Sequence, residues 1–169
     1  MLDKSIEFKR IVMKMDSDEI KKTALPVLPE GFSFKFFSAG DEAHWAQIET
    51  SVLEFESESD AENYFRENFL PHESELEKRC VFVVNSKNIP IATATAWFAD
   101  NETGHRSRLH WVAVCPEYQG LGIGKAVTQK VLQIFREIEP DEPVWLHTQT
   151  WSPVAIKLYL RLGFHINSL

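Results

Sequence analysis

The chain has 169 residues, 44% of them apolar and 25% charged, and 18 basic against 25 acidic side chains give a formal net charge of −7. That length suits one compact soluble domain, large enough to bury about two-thirds of its unfolded surface without a disulfide or a metal. The acid excess argues against tracking nucleic-acid phosphates, and no apolar run approaches the ~20 residues that span a bilayer.

Two widely spaced cysteines, Cys80 and Cys115, and a charged start lacking the apolar stretch of a signal peptide point to a reducing, cytoplasmic setting. Phe8 to Lys14 reads as a strand and Asp16 to Lys22 as a charged turn or short helix. The Pro26, Pro29, Gly31 cluster then breaks the chain before an alternating run, Phe32 to Phe37. Residues 1–31 form a strand or arm packed on the main domain, 32–169. From Asp41 the period becomes helical through Trp45, Ile48, Val52 and Phe55. Ser59 and Glu62 have capping-box spacing for a second helix from about Asp60, with Tyr64, Phe65 and Phe69 inward and Pro71 at its end. Cys80 to Val84 and Ile91 to Trp97, joined by Asn85 to Asn88, read as an antiparallel hairpin.

A loop from Asp100 to Arg106 leads to a strand at Leu109 to Val114. Lys125 to Ile138 carries Val127, Val131, Ile134, Phe135 and Ile138 on one helical face. Val144 to Thr150 is a strand, and Ser152 with Pro153 starts a short helix that Gly163 closes with a left-handed cap. Phe164 to Leu169 leaves a short final strand. Hairpin, strand, helix, strand, helix indicate an α/β (α+β) mixed sheet with helices packed on it.

The segment VAVCPEYQGLGIGKA passes from strand through turn into helix, with Gly120, Gly122 and Gly124 alternating at the turn. Glycines there let the backbone approach a ligand closely, and the helix they open turns unpaired N–H groups and a positive dipole end toward it, which suits a phosphate or pyrophosphate. Lys125 adds a mobile charge and Gln119 an amide donor. A ligand-free glycine turn is the plainer alternative, at an entropic disadvantage. Gln119 and Ala126 exclude a Walker A loop, and Lys125 stands where a dinucleotide fingerprint needs its third glycine.

These residues resemble the acyl-CoA pyrophosphate loop of the GNAT superfamily of N-acetyltransferases: Gln119, Gly122 and Gly124 match its signature, with Gly120 as the usual extra glycine. Ala155, Tyr159, Gly163 and Phe164 resemble the family's late helix. The resemblance implies a mainly antiparallel sheet of about six or seven strands flanked by helices, with acetyl-CoA as co-substrate; that no metal is expected rests on the histidine spacing instead. The resemblance implies that 119–125, including Leu121 and Ile123, hold the pyrophosphate. It also implies that Val112 to Val114, with Ala113 between, splay from Leu146 to Thr148 and pair with the pantetheine arm, an amide of Val112 or Val114 polarising the thioester carbonyl. Ser152, where many members carry Asn, and Ala155 lie along that arm. Tyr159 stands where a hydroxyl protonates the leaving thiolate; a phenol keeps its proton at neutral pH, although packing against the sheet explains the residue equally simply.

An alkylammonium acceptor must lose a proton before it attacks. His110, on the face of Val112 and Val114 in an unbulged strand and near where relatives often carry glutamate, is the first candidate base, with His147 and Glu54 in reserve. A structural strand histidine is the alternative. Glu54, Glu56, Glu58 and Asp60 form an acidic run that is either a solvated helix entrance or, through Glu54 and Glu56, part of an amine-acceptor pocket. Trp97, Trp111 and Trp151 are core residues or cation-holding faces. Cys115 faces away from His110 in a regular strand, so a cysteine nucleophile is disfavoured, and the six histidines show no metal-binding spacing. The expected activity is direct acetyl transfer to a primary amine of a small molecule or peptide, with no nucleic-acid or membrane partner and a homodimer left open. The alternatives are a non-catalytic acyl-CoA sensor and, more weakly, transfer to a hydroxyl.

Overall fold

A computed structural model describes residues 2–101 and 104–168. Glu102 and Thr103 of the expected loop, and Leu169 of the expected last strand, lie outside the described residues. The strands are β1 (Arg10–Met15), β2 (Ser33–Phe36), β3 (Cys80–Val84), β4 (Pro90–Asn101), β5 (Gly104–Val114), β6 (Val144–Gln149) and β7 (His165–Ser168). They form one seven-stranded sheet in the order β2-β3-β4-β5-β6-β1-β7. β2–β3, β3–β4, β1–β6 and β1–β7 are antiparallel, whereas β5–β6 is parallel. The helices are α1 (Ser17–Lys22), α2 (Glu42–Ser51), α3 (Glu58–Asn68), α4 (Glu73–Arg79), α5 (Ile123–Ile138) and α6 (Pro153–Leu162). Among the described residues no helix is long and apolar enough to cross a membrane.

The chain clusters into two compact units. The first holds residues up to Leu25, Ala96–His110, and those from Leu132 on. Its core follows the two-residue period of its strands: Ile11, Met13 and Met15 of β1 and Val144 and Leu146 of β6 are buried, while Arg10 and His147 point to solvent. The N-terminal segment is thus an interior strand, paired with β6 from Arg10↔Gln149 to Met15↔Val144 and with β7 on its other edge. Gly163 closes α6 at φ +108, a left-handed position that suits a residue without Cβ, and its N–H bonds the Leu160 carbonyl. Ser152 occupies the expected N-cap of α6 but makes no side-chain capping bond.

The second unit holds Pro26–Thr95 and Trp111–Val131. Every residue of β3 is buried, the pattern of a strand covered on both faces. Two helix expectations are corrected. α2 ends at Ser51 rather than continuing to Phe55, because Leu53 turns left-handed at φ +68. α3 is capped by Ser57, whose Oγ accepts from the Asp60 N–H at 3.1 Å, so Ser59 lies inside the helix. Phe65 and Phe69 are buried, whereas Tyr64 stays 36% exposed. A 3-10 turn that contains Pro71 (Leu70–His72) and then α4, neither anticipated, carry the chain into β3.

Trp45 is the hub of the second unit. It is fully buried, with ring centroids 5.0 Å from Phe65, 5.4 Å from Trp111, 5.8 Å from Phe55 and 5.9 Å from Phe69. Trp45→Ala is expected to destabilise the protein by about 3–5 kcal/mol through lost burial and a residual cavity. In a thermal melt that is a fall of roughly 10 °C.

Candidate active site

The glycine segment lies wholly in the second unit. A 3-10 turn, Pro116–Tyr118, follows β5, and Tyr118 and Gln119 donate their N–H groups to the Cys115 and Pro116 carbonyls. Gly120 and Gly122 both have φ +81, where an L side chain is strained, and a Cβ built on either would meet nothing within 4 Å. The openness shows that close packing by the protein is not what requires these glycines. The first bond of α5 runs from the Ala126 N–H to the Gly122 carbonyl at 3.1 Å. Ahead of it, among the described residues, no main-chain amide from Gly120 to Lys125 donates to a turn or cap acceptor. Six consecutive residues thus offer N–H groups at a helix N-terminus, with Leu121 and Lys125 exposed beside them. The Gln119 carboxamide is turned onto its own chain, its Nε2 donating to the Val114 carbonyl at 3.0 Å and bracing the loop against the strand end.

β5 supplies the second feature. Its parallel ladder with β6 comprises Ser107↔Val144 and Arg108↔Trp145, and among the described residues no later pair extends it. Trp111 has φ +51, a left-handed conformation rare for a bulky residue, so the strand is kinked there. This corrects the unbulged strand on which His110 was placed on the face of Val112 and Val114. Ala113 is buried, and Val112 and Val114 are partly exposed.

His110 lies in the first unit, and its Nδ1 is buried without a hydrogen-bond partner. Burial, then the charges of Arg108 and of His147, push its pKa down to about 4. It is therefore neutral at physiological pH and a weak base. His147 is likewise pushed down to about 4, by burial and the nearby guanidinium groups. Tyr159 is 7% exposed and packs edge-on to Phe164 at 5.8 Å. Glu54, Glu56, Glu58 and Asp60 are all exposed in the second unit. Both cysteines are free. Burial pushes Cys80 up to about 12 and raises Cys115, whose sulfur accepts from the Ser51 hydroxyl at 3.6 Å, so neither is a thiolate at neutral pH.

Residues 43–164 match the family model described as the acetyltransferase (GNAT) family. The chain belongs to the GNAT family. Among its relatives, an N-alpha-acetyltransferase of Sulfurisphaera tokodaii is 38% identical over 53 residues, 31% of this chain and 32% of that protein. An uncharacterized N-acetyltransferase, ycf52, of Pyropia yezoensis is 31% identical over 80 residues, 47% of this chain and 41% of its own. The matches thus span less than half the length of either relative. The GCN5-related N-acetyltransferase of Sphaerobacter thermophilus shares the fold at TM-score 0.73 and 22% identity, over 94% of this chain and 48% of that one. Arabidopsis thaliana Naa50, solved with the bisubstrate analogue CoA-Ac-MVNAL, does so at TM-score 0.62 and 18% identity, over 82% of this chain and 85% of that one.

One ionisable group in this GNAT chain escaped the sequence reading. Glu49, on α2, is 1% exposed, and its Oε1 has no hydrogen-bond partner, as is true of the adjacent Thr50 hydroxyl. Burial, and secondarily Glu54, raise its pKa well above the ordinary carboxylate value. The available signal was a charged residue on the buried stripe of α2, four positions after Trp45. Because the folded pKa is raised, the native state holds a proton that the unfolded chain releases. Stability therefore falls as pH climbs from the unfolded toward the folded pKa, by at most about 1.4 kcal/mol per pH unit. Glu49→Gln is expected to remove this slope, melting higher than the parent at pH 7.5 and equally at pH 4. Parallel melting curves across that range would contradict it.

Proposed function

We propose that the chain transfers the acetyl group of acetyl-CoA directly to a primary amine of a small molecule or a peptide. The observation that carries this reading is the run of unpaired amides at the left-handed Gly120 and Gly122, opening onto α5. A pyrophosphate supplies the acceptors such a run lacks. The names of the Sulfurisphaera relative and of Naa50's bound analogue support an amine acceptor.

In this mechanism the acceptor nitrogen forms a bond to the thioester carbon, an amide of Val112 or Val114 stabilises the developing oxyanion, and the carbon–sulfur bond breaks. Tyr159 gives its proton to the departing thiolate. The pantetheine arm lies along the Val112 to Val114 segment with Ser152 and Ala155, and Glu54 and Glu56 draw in a cationic acceptor. His110, neutral and with a free Nδ1, takes through water the proton that the attacking nitrogen sheds as the carbon–nitrogen bond forms. The raised thiol pKa values favour direct attack over a cysteine intermediate.

Thiol release from acetyl-CoA over a panel of alkyl amines and Met-Val-type peptides tests the reading. Turnover with at least one acceptor is expected, while tight CoA binding with no transfer to any would replace the transferase by an acyl-CoA sensor. With an alkyl amine, kcat/KM is expected to rise steadily from pH 6 toward the amine's own pKa, about 10, since His110 at about 4 does not titrate in that range. An inflection near pH 6.5 that disappears in His110→Gln would contradict the depressed pKa of His110.

A further inference from the structure

The first unit carries a group of cations to which the mechanism proposed above gives no role. Arg10 on β1 and Arg108 on β5 both direct Nη2 at the imidazole of His147 on β6. Arg10 meets its Nδ1, and Arg108 lies 2.6 Å from Nδ1 and 2.8 Å from Nε2. Arg106, also on β5, lies over the Trp145 ring at 4.9 Å, two residues from His147 on the same strand. The three guanidinium groups are close enough that Arg10 and Arg106 lower the pKa of Arg108, after burial as the larger cause.

Among the described residues none of these arginines has a carboxylate partner. Acids are not scarce, since 25 face 18 bases, and Arg66, Arg79, Lys14 and Lys35 each sit against one. The imidazole cannot stand in for a counter-ion. When neutral it has one acceptor nitrogen, and a guanidinium is a donor only, so two arginines compete for a single lone pair. A short way along β5, the buried Nδ1 of His110 is also unpartnered.

We infer that Arg10, Arg106 and Arg108, gathered around His147 on the exposed face of β1, β5 and β6, bind an oxyanion: the carboxylate or the phosphate monoester of a small organic molecule. Either group has lone pairs enough for two guanidinium forks at once, in the bidentate geometry that arginine favours. Binding neutralises a cluster that otherwise repels itself, so the anion stabilises the fold as well as occupying it. The site stands independently of acetyl transfer: a chain that never turns over acetyl-CoA is still expected to bind the anion.

The test follows the His147 ring resonances by NMR, with inorganic phosphate, glutarate and chloride added at matched ionic strength. A phosphate response that persists undiminished in Arg10→Gln and Arg108→Gln belongs to another site on the chain. Phosphate or glutarate is expected to shift the His147 signals saturably, to raise its titration midpoint from about 4 as the guanidinium field is neutralised, and to raise the melting temperature. Chloride does none of these. A response to phosphate alone assigns a phosphate monoester, and one to glutarate alone a carboxylate. Arg10→Gln and Arg108→Gln should each weaken binding at least tenfold, and Arg66→Gln, which removes an arginine paired with Glu62, should leave it unchanged. Arg108→Lys keeps the charge and loses the fork; it should fold like the parent in chloride and still bind more weakly. Phosphate and glutarate acting no differently from chloride, or binding undiminished in the Arg10 and Arg108 variants, would overturn the inference.

Discussion

Gly122→Val is expected to lower the affinity for acetyl-CoA by about a hundredfold, the equivalent of about 2.7 kcal/mol. Gly122 sits at φ +81, where a β-branched residue is strained by about 1–2 kcal/mol. A Cβ there meets no protein atom within 4 Å, so the free protein tolerates the side chain and the loop relaxes out of the left-handed conformation. Binding then has to restore that conformation against the strain, and the side chain stands where the pyrophosphate approaches the amides. Each charge-assisted bond forgone is worth about 1.5–3 kcal/mol more. Gly40→Val is the control: Gly40 has φ +99 and open space around its Cβ, so the strain is similar while the amides at 120–125 are untouched. Isothermal titration should show the loss in the first variant only. Equal affinity in both would mean that the glycine loop does not hold the co-substrate.

Tyr159→Phe is expected to reduce kcat by about 10²–10³-fold, the size of a lost general acid, with KM for acetyl-CoA little changed. The ring remains to pack against Phe164, so the melting temperature should hold within a few degrees. The decisive control varies the leaving group. A thioester whose thiol is more acidic needs less help from a proton donor, so the defect should shrink with such a donor. A fall in stability matching the fall in rate would return Tyr159 to a packing role.

The parts of the fold readable from the sequence are those in which local chemistry dictates geometry. Gly120, Gly122 and Gly163 all adopt positive φ, and the buried stripe Val127, Val131, Ile134, Phe135 places α5 to within two residues of its start. Capping was less determinate, because Ser57-x-x-Asp60 and Ser59-x-x-Glu62 overlap, and only packing selects Ser57. Tertiary features left little trace. Nothing local in Arg10–Met15 says that it enters between β6 and β7, and nothing in Trp111 announces a left-handed kink that no isolated strand would adopt. The buried Glu49 and the arginines around His147 depend likewise on which strands and helices become neighbours. Of the candidate site, the glycine loop ahead of α5 was legible as a motif. The weak basicity of His110 follows from burial and the Arg108 charge, which periodicity does not reveal.

The most direct test of the central claim is an amide-resolved NMR titration of the protein with coenzyme A. The main-chain N–H signals of 120–125 should move downfield and saturate together as the diphosphate takes up their hydrogen bonds, and 3′-dephospho-CoA, which retains the diphosphate, should reproduce the effect. Coenzyme A that binds while those signals stay in place, or that does not bind folded protein at all, would contradict the account.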